Sequence, residues 1–375
     1  MLKRMKTFLF INSVDFNNGN LTGGHKRFLE LVKSISEKND VVLVSRKKSG
    51  LEGPNIKNIE VCANLKTWIP SHWMKIIIFS KILRREKSNI KYDYAISFGP
   101  ADTVCYKLSG YDNIITLFRE DFVGYRKALG VPALKMLYYR WLEGYAVKNS
   151  EKIIVQCEDD KRALIQRHRT KVKGLESKIY VQINNVNASW MNKKYIRGDE
   201  KNDNVTKIAF IGNFSDNRKG HQLLLPAVCK LIQDGYKINL RIAGDGRELE
   251  KYKDRYKNCK SIVFMGRVSN VGEILMSSDF EVVPSLIDSC PNTVLEGIAL
   301  GVTVYGTNVG GIKDILEKKD YMFEPTVDSI YEFIKKAIDE KRYVKDAIDQ
   351  KVIKERLTFD WGDEILKIII GEKNR

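Results

Sequence analysis

The chain has 375 residues, of which 64 are Lys or Arg and 47 are Asp or Glu, so its formal net charge is +17. The length suits two domains of ordinary size, and the hydrophobic content of 43% is typical of a globular protein. Every apolar run is shorter than the roughly 20 residues that a membrane-spanning helix needs.

The positive charge is concentrated in the first half of the chain. Residues 1–185 contain 33 Lys and Arg against 18 Asp and Glu, a balance of +15, whereas the remainder contains 31 against 29, a balance of +2. This asymmetry indicates an anionic partner for the first half alone. The six cysteines have no paired spacing, which argues against disulfides and metal clusters and favours a reducing cytoplasm.

Strands and helices are predicted to alternate through residues 1–185, as in a sheet with helical crossovers. A glycine-rich loop that includes Gly23 and Gly24 joins the first strand to the first helix, so backbone there can approach a ligand closely. The loop lacks the Gly-x-Gly-x-x-Gly pattern of NAD sites. The predicted strands cover 8–14, 41–45, 94–98, 114–117, 153–156 and 180–183, and the predicted helices cover 25–36, 132–149 and 158–168.

Residues 66–91 predict an amphipathic helix with an apolar stripe and a basic back. Tryptophan, branched aliphatics and Lys or Arg on one such helix suit the surface of an anionic bilayer. The alternative is a helix whose apolar stripe faces the protein core. Nucleic acid is not expected, because the segment lacks aromatics interleaved on a sheet or loops.

The second half predicts the same alternation after a charged linker at 193–206. Its most informative stretch is 279–314, where a strand ends at Pro284 and a polar loop leads to a helix at Asn292. Two carboxylates lie there, Asp288 in the loop and Glu296 in the helix. The predicted strands cover 207–211, 240–243, 263–265, 280–283 and 302–305, and the predicted helices cover 292–300, 327–339, 344–356 and a last one from about 359.

These features together predict a nucleotide-sugar site. Ligands of open α/β sheets bind beyond the carboxyl ends of the strands, and a helix start binds anions. The two carboxylates suit the hydroxyls of a sugar or a ribose. A second strand–loop–helix junction supplies cations, Arg218 and Lys219, that can hold a diphosphate.

The order of Pro-Ser, Asp288, seven residues, Glu296, a helix and Gly310-Gly311 resembles the donor site of retaining glycosyltransferases of family 4, also called glycosyl transferases group 1. That family usually has Glu where this chain has Asp288. The resemblance implies that Glu296 holds the ribose, Asp288 the sugar hydroxyls, and Lys219 with Arg218 the diphosphate. It also assigns donor contacts to Gly23, Gly24, Gly212, Asn213, Arg267, Val268, Pro291, Asn292, Thr293, Gly310 and Gly311.

The chain departs from the family pattern in two further places. Asn213 stands where the family typically has Arg, and the family's donor-facing histidine is missing near Phe118. Arg119 and Asp121 are the candidates for that space on the acceptor side.

The resemblance implies the α/β GT-B fold, with two Rossmann-like doubly wound domains facing a cleft. Residues 1–185 are then the acceptor-side domain, 186–356 the donor domain, and 357–375 a helix that crosses back to the first domain. The implied reaction moves a hexose, with retention, from a nucleoside-diphosphate sugar to a glycan or glycolipid acceptor in bacterial cell-surface polysaccharide synthesis. We expect a cytoplasmic protein that attaches peripherally to the inner face of the plasma membrane.

No metal or other cofactor is expected, because the chain lacks the Asp-x-Asp tripeptide and clusters with metal-ligand spacing. Two other functions fit the same residues. One is a nucleotide-sugar epimerase, and the other is a catalytically silent nucleotide-sugar-binding module.

Overall fold

The computed structural model describes residues 5–12, 16, 23–45, 49–60, 71–186 and 204–372, and for Gly23 and residues 71–75 it describes the backbone alone. The chain forms two compact units. Unit 1 comprises residues 1–182 and 360–375, and unit 2 comprises residues 183–359. The predicted boundaries, after 185 and after 356, each lie three residues from those of the units.

Unit 1 is built on a seven-stranded sheet in which all neighbouring strands are parallel, in the order β3-β2-β1-β4-β5-β6-β7. The five inner strands are apolar runs whose side chains are almost all buried, as expected of a parallel sheet covered on both faces, whereas the edge strands β3 and β7 are more exposed. The seven strands are β1 (Thr7–Asn12), β2 (Asp40–Ser45), β3 (Ile56–Glu60), β4 (Tyr94–Ser97), β5 (Ile114–Leu117), β6 (Lys152–Val155) and β7 (Ile179–Val181).

The helices of unit 1 include one from the far end of the chain. This last helix packs against the first one, and the ammonium of Lys152 donates to the carbonyls of Ile368 and Ile369 at 2.7 and 3.0 Å. The helices are α1 (Gly23–Ser36), α2 (Ser71–Glu86), α3 (Pro100–Leu108), α4 (Phe122–Ala128), α5 (Ala133–Asn149), α6 (Glu158–His168) and α15 (Trp361–Ile370).

Unit 2 repeats this architecture with six parallel strands in the order β10-β9-β8-β11-β12-β13. Its strands are β8 (Thr206–Ile211), β9 (Ile238–Ala243), β10 (Ile262–Gly266), β11 (Phe280–Val283), β12 (Thr303–Thr307) and β13 (Met322–Phe323). Its helices are α7 (His221–Gln233), α8 (Leu249–Tyr256), α9 (Val271–Met276), α10 (Asn292–Leu300), α11 (Gly310–Leu316), α12 (Val327–Asp339), α13 (Arg342–Asp349) and α14 (Lys351–Arg356).

The apolar stripe predicted within 66–91 lies largely in the core of unit 1. Ile78, Ile82 and Leu83 of α2 are buried, and only Ile77 among the described apolar residues of this helix is exposed. The described part of the stripe therefore packs in the core, which was the alternative to a bilayer surface. Residues 61–70 and the side chains of 71–75, including both tryptophans of the stripe, lie outside the described residues.

Other predicted elements need correction. The helix predicted over 344–356 is two helices, α13 and α14, which meet at Gln350. A pair of adjacent glycines favours a loop, but Gly310 and Gly311 begin α11. Aromatic residues on a helix usually face the core, yet Trp141 of α5 is 46% exposed.

Candidate functional site

The candidate site of unit 2 lies where the strand order reverses. β8 and β11 are neighbours. After β8 the chain continues toward one edge of the sheet, to β9, and after β11 it continues toward the other edge, to β12. The loops after their carboxyl ends therefore diverge and leave a crevice, the place where open α/β sheets bind ligands. Gly212 and Asn213 follow β8, and Pro284 to Pro291 follow β11.

A cavity of about 250 Å³ opens at this edge of unit 2. It lies against β8 and β9 and against the starts of α9 and α10. Six of its lining residues were predicted site residues: Gly212, Asn213, Lys219, Arg267, Val268 and Thr293. The others are Ile211, Ala243, Gly244, Asp245 and Val271.

Lys219 and Asp288 form an ion pair in the crevice, although they are 69 residues apart in the chain. Nζ of Lys219 lies 2.5 Å from Oδ2 of Asp288, and their side chains are 14% and 11% exposed. The guanidinium of Arg218 lies 3.7 Å from the same oxygen. Asp288 therefore faces two cations, and the largely buried ammonium of Lys219 lies at the wall of the cavity.

The turn at Gly220 holds the two cations in place. Gly220 has φ of +74°, and a Cβ built there would lie 1.8 Å from the carbonyl oxygen of Pro284. Only glycine fits this left-handed turn without displacing the β11 loop. In addition, Leu286 donates its N–H to the carbonyl of Arg218 at 2.7 Å, so the two loops are joined.

Gly310 and Gly311 fix the loop that carries Asp288 from the other side. Gly311 donates its N–H to the carbonyl of Asp288 at 2.9 Å. A Cβ built on Gly310 would lie 2.1 Å from that same carbonyl oxygen, and Gly310 has φ of +52°. The two glycines thus act on the backbone of the Asp288 loop and allow α11 to approach it closely.

Glu296 lies on α10 near a second carboxyl group, that of Glu281, which no sequence pattern indicated. Glu281, in the middle of β11, is completely buried, and neither carboxyl oxygen has a hydrogen-bond partner among the described residues. A Cβ built on Gly297 would lie 2.5 Å from Oε2 of Glu281, so this oxygen packs against the helix backbone next to Glu296.

Burial raises the pKa of Glu281 well above its usual range, and the nearby carboxylate of Glu296 raises this pKa further, while Lys219 opposes the change. Both causes favour the protonated, neutral form of the Glu281 carboxyl group. The sequence does not indicate that Glu281 lies near Glu296, because a single glutamate within an apolar strand carries no information about its spatial neighbours.

The remaining predicted residues lie around these groups with different kinds of contact. Asn213 donates to Oδ1 of Asp245 at 3.2 Å and accepts the N–H of Ser215 at 2.6 Å, so its amide orders the loop. Thr293 has a buried hydroxyl without a partner among the described residues. Pro291 is buried ahead of α10, and Asn292 is its first residue.

His221, just after Gly220, is a core residue. Its ring lies 4.3 Å from Phe214 and 4.5 Å from Tyr252, centroid to centroid, and its side chain is completely buried. Burial lowers its pKa to about 4, although Asp216 and Glu248 act in the opposite direction. The imidazole is therefore neutral and packs as an aromatic ring.

In unit 1 the structure brings together Gly24 and Arg119, which the sequence analysis named separately. A Cβ built on Gly24 would lie 1.7 Å from Nη1 of Arg119, so the guanidinium rests on the first turn of α1. His25 adjoins it, and burial together with the charge of Arg119 lowers the pKa of His25. The sequence does not indicate that His25 and Arg119 are neighbours, because 94 residues separate them.

Asp121 has a structural role that the sequence did not reveal. Its carboxylate accepts the N–H of Gly124 as the N-cap of α4 and pairs with Arg167 at 2.6 Å. Arg167 also binds the buried carboxylate of Glu143, which accepts in turn from His168. The carboxylate of Asp121 is therefore engaged both by the N-terminus of α4 and by Arg167.

Among the described residues, no group of three or more His, Cys, Asp or Glu is arranged to hold a metal ion. Within the same residues, no helix is long and apolar enough to cross a bilayer.

Residues 205–340 match the family Glycosyl transferases group 1. Over 146 residues the chain is 27% identical to Protein CapJ of Staphylococcus aureus, a match that spans 37% of each protein. It is 22% identical to the UDP-Gal:alpha-D-GlcNAc-diphosphoundecaprenol alpha-1,3-galactosyltransferase of Escherichia coli, across 74% of this chain and 70% of that enzyme.

A solved structure of Anabaena Alr3699/HepE in complex with UDP and glucose superimposes with a TM-score of 0.68 at 13% identity. The superposition covers 98% of this chain and all of that one. The predicted α/β class with two Rossmann-like domains is confirmed. The chain has the GT-B fold, and its second unit is similar to the glycosyl transferases of group 1.

Proposed function

We propose that the protein is a glycosyltransferase that moves a sugar from a nucleoside diphosphate to a glycan or lipid-linked acceptor, with retention of configuration. The observation that carries the proposal is the Lys219–Asp288 pair at the wall of the unit 2 cavity, next to the helix with Glu296. A cation at this place can bind the diphosphate and offset the charge that builds on it as the sugar leaves.

Each group has a separate role in this proposal. Lys219, with Arg218 beside it, binds the diphosphate, and Glu296 accepts the ribose hydroxyls. Asp288 holds the Lys219 ammonium and contacts the sugar, where a carboxylate favours the positive charge that develops at the anomeric carbon. Arg119 remains the acceptor-side candidate in unit 1, next to Gly24 and His25.

The names of the similar proteins support a nucleotide-sugar donor. The Escherichia coli enzyme is named for UDP-Gal and for a diphosphoundecaprenol acceptor, and the Anabaena structure contains UDP and glucose. We accordingly favour a lipid-linked acceptor in bacterial cell-surface polysaccharide synthesis, at the cytoplasmic face of the membrane. A hexose donor and independence from metal remain predictions.

A panel of nucleotide sugars tests the reaction class. Release of nucleoside diphosphate that depends on added acceptor identifies a transferase. Release without acceptor identifies an epimerase-type elimination or hydrolysis, and binding without release identifies a silent module. Each reaction is run with and without EDTA to test the metal prediction. Loss of activity in EDTA that Mg²⁺ or Mn²⁺ restores would contradict that prediction.

A further inference from the structure

Helix α5 of unit 1 is apolar on two faces. One face is buried in the core and includes Met136, Leu142 and Ala146. A second face presents Leu134, Leu137 and Trp141, spaced three and four residues apart, with exposures of 80%, 61% and 46%. Residues at this spacing lie along one side of a helix, so these three side chains form a continuous stripe.

The surface around this stripe is basic. Residues 122–149 contain five cations, Arg126, Lys127, Lys135, Arg140 and Lys148, and one acid, Glu143. Arg126 is mostly buried and is paired with Glu120 just outside this range, so it adds no net charge to the surface. The side chain of Glu143 is completely buried and bonded to Arg167 and His168, so it adds no acidic group to the surface. Leu129, just after α4, adds another apolar side chain that is 42% exposed.

We propose that Leu129, Leu134, Leu137 and Trp141, with the exposed cations Lys127, Lys135 and Arg140, form a surface that binds an anionic phospholipid bilayer. Leucine and tryptophan enter the boundary between headgroups and acyl chains, and Lys or Arg beside them bind anionic headgroups. We call these seven residues the α5 surface. The proposal goes beyond the transfer reaction and does not depend on it.

Charge distinguishes the bilayer from a second copy of the chain. A symmetric dimer through this face would bring identical basic residues together, and such like-charge contact is unfavourable. An anionic bilayer instead complements them.

A second exposed apolar stripe, on α13 and α14 of unit 2, differs from the α5 surface in its charge. Val344, Ile348 and Val352 are 61%, 61% and 68% exposed, but they lie among residues of both charges.

Co-sedimentation of the full chain with vesicles tests the α5 surface. We compare vesicles of equal parts phosphatidylcholine and phosphatidylglycerol with vesicles of phosphatidylcholine alone, at low and high salt. The wild type should bind only the mixed vesicles and should lose binding at high salt. The triple variant Lys127→Gln, Lys135→Gln, Arg140→Gln should lower the partition coefficient by about tenfold to a hundredfold.

Two matched controls make the test specific. The triple variant Lys81→Gln, Arg85→Gln, Lys87→Gln removes the same charge from the exposed side of α2 and from the residue that follows this helix. It should bind nearly as the wild type does. Leu134→Gln, Leu137→Gln should lose binding, whereas Val344→Gln, Ile348→Gln should keep it. Circular dichroism and thermal unfolding confirm that each variant is folded, since all replaced side chains are exposed.

Three results would overturn the proposal. The first is a wild type that ignores mixed vesicles at low salt. The second is equal loss in the α2 control, which would mean that net charge alone drives binding. The third is a concentration-dependent dimer that Leu134→Gln, Leu137→Gln dissociates, which would assign the surface to a second copy.

Discussion

Unit 1 and unit 2 arrange their strands alike but place different chemistry beyond the carboxyl ends of those strands. In unit 2 the loops after β8 and β11 carry the Lys219–Asp288 pair and border a cavity. In unit 1 the loop after β5 sends Arg119 onto the start of α1, and the nearby acid Asp121 is occupied by a helix cap. One topology thus fixes where a site forms, and the residues after the strands decide what it binds.

The largest effect we predict is a loss of stability in unit 1 that leaves nucleotide binding by unit 2 unchanged. Trp361 of α15 is 4% exposed and belongs to unit 1. Trp361→Ala should lower the free energy of unfolding of unit 1 by about 3–5 kcal/mol because it leaves a large cavity. Urea unfolding measures this change, and calorimetry with UDP should show unchanged nucleotide affinity. Trp141→Ala, at an exposed position, should cost much less, and a parallel loss of UDP affinity would contradict the separation.

The second prediction concerns the cation of unit 2. Lys219→Ala should reduce transfer by about 2–4 kcal/mol in transition-state free energy, because the diphosphate loses its principal positive partner as charge builds. Arg218→Ala should cost less, since Lys219 lines the cavity and Arg218 is not among its lining residues. Steady-state turnover measures both, with Lys257→Ala as an exposed control. Normal turnover in the Lys219, Arg218 double variant would remove the phosphate role.

The third prediction separates the two acids of unit 2. Glu296→Gln should weaken binding of the bare nucleoside diphosphate by about 1.5–3 kcal/mol, the value of a hydrogen bond to a charged group. Asp288→Asn should leave that affinity nearly unchanged and reduce turnover, because its charge acts near the anomeric carbon. Calorimetry and turnover on the same samples measure both. The opposite pattern would reverse the assigned roles.

The smallest effect concerns Glu281, which has no described counterpart in the sheet of unit 1. Its pKa in the folded state is raised by burial and by Glu296, so the folded protein holds a proton that the unfolded chain releases near its ordinary pKa. Its contribution to stability is thus complete at acidic pH and declines as pH rises toward the raised value. Urea unfolding at pH 5, 7 and 9 measures this change. The free energy of unfolding of Glu281→Gln should rise relative to that of the wild type as the pH rises. Parallel curves would contradict a buried neutral acid, and Glu250→Gln, which is exposed, is the control.

Sequence analysis located the central strands well and the peripheral elements poorly. β5, β11, α6, α10 and α12 have the predicted bounds, because each is a short apolar run or a helix-forming segment that turn or capping residues delimit. β3 was missed because an edge strand with half-exposed, partly polar residues lacks such a run. α11 was missed because two initial glycines suggest a loop, whereas the backbone of the Asp288 loop requires them there.

The candidate site shows a similar division. Lys219 and Asp288 were both predicted from local patterns, but their 2.5 Å pairing depends on how two loops meet. Glu281 was not predicted, since its importance comes from Gly297 and Glu296 on another element. The α2 stripe was an ambiguous pattern, because core-facing and bilayer-facing helices share the same periodicity.

The placement of α15 has a consequence for how the protein is made. Because unit 1 includes residues 360–375, unit 2 is an insertion within it, and the two ends of this insertion are bonded together. Val186 donates to the carbonyl of Leu357 at 2.9 Å, and Asn185 to that of Phe359 at 2.7 Å. On the ribosome, the residues of α15 leave the exit tunnel only after all of unit 2, so the first unit to begin synthesis is the last to be completed. Residues 183–359 are accordingly the segment to express alone, whereas a gene fragment ending at 182 would leave α1 without the helix that covers it.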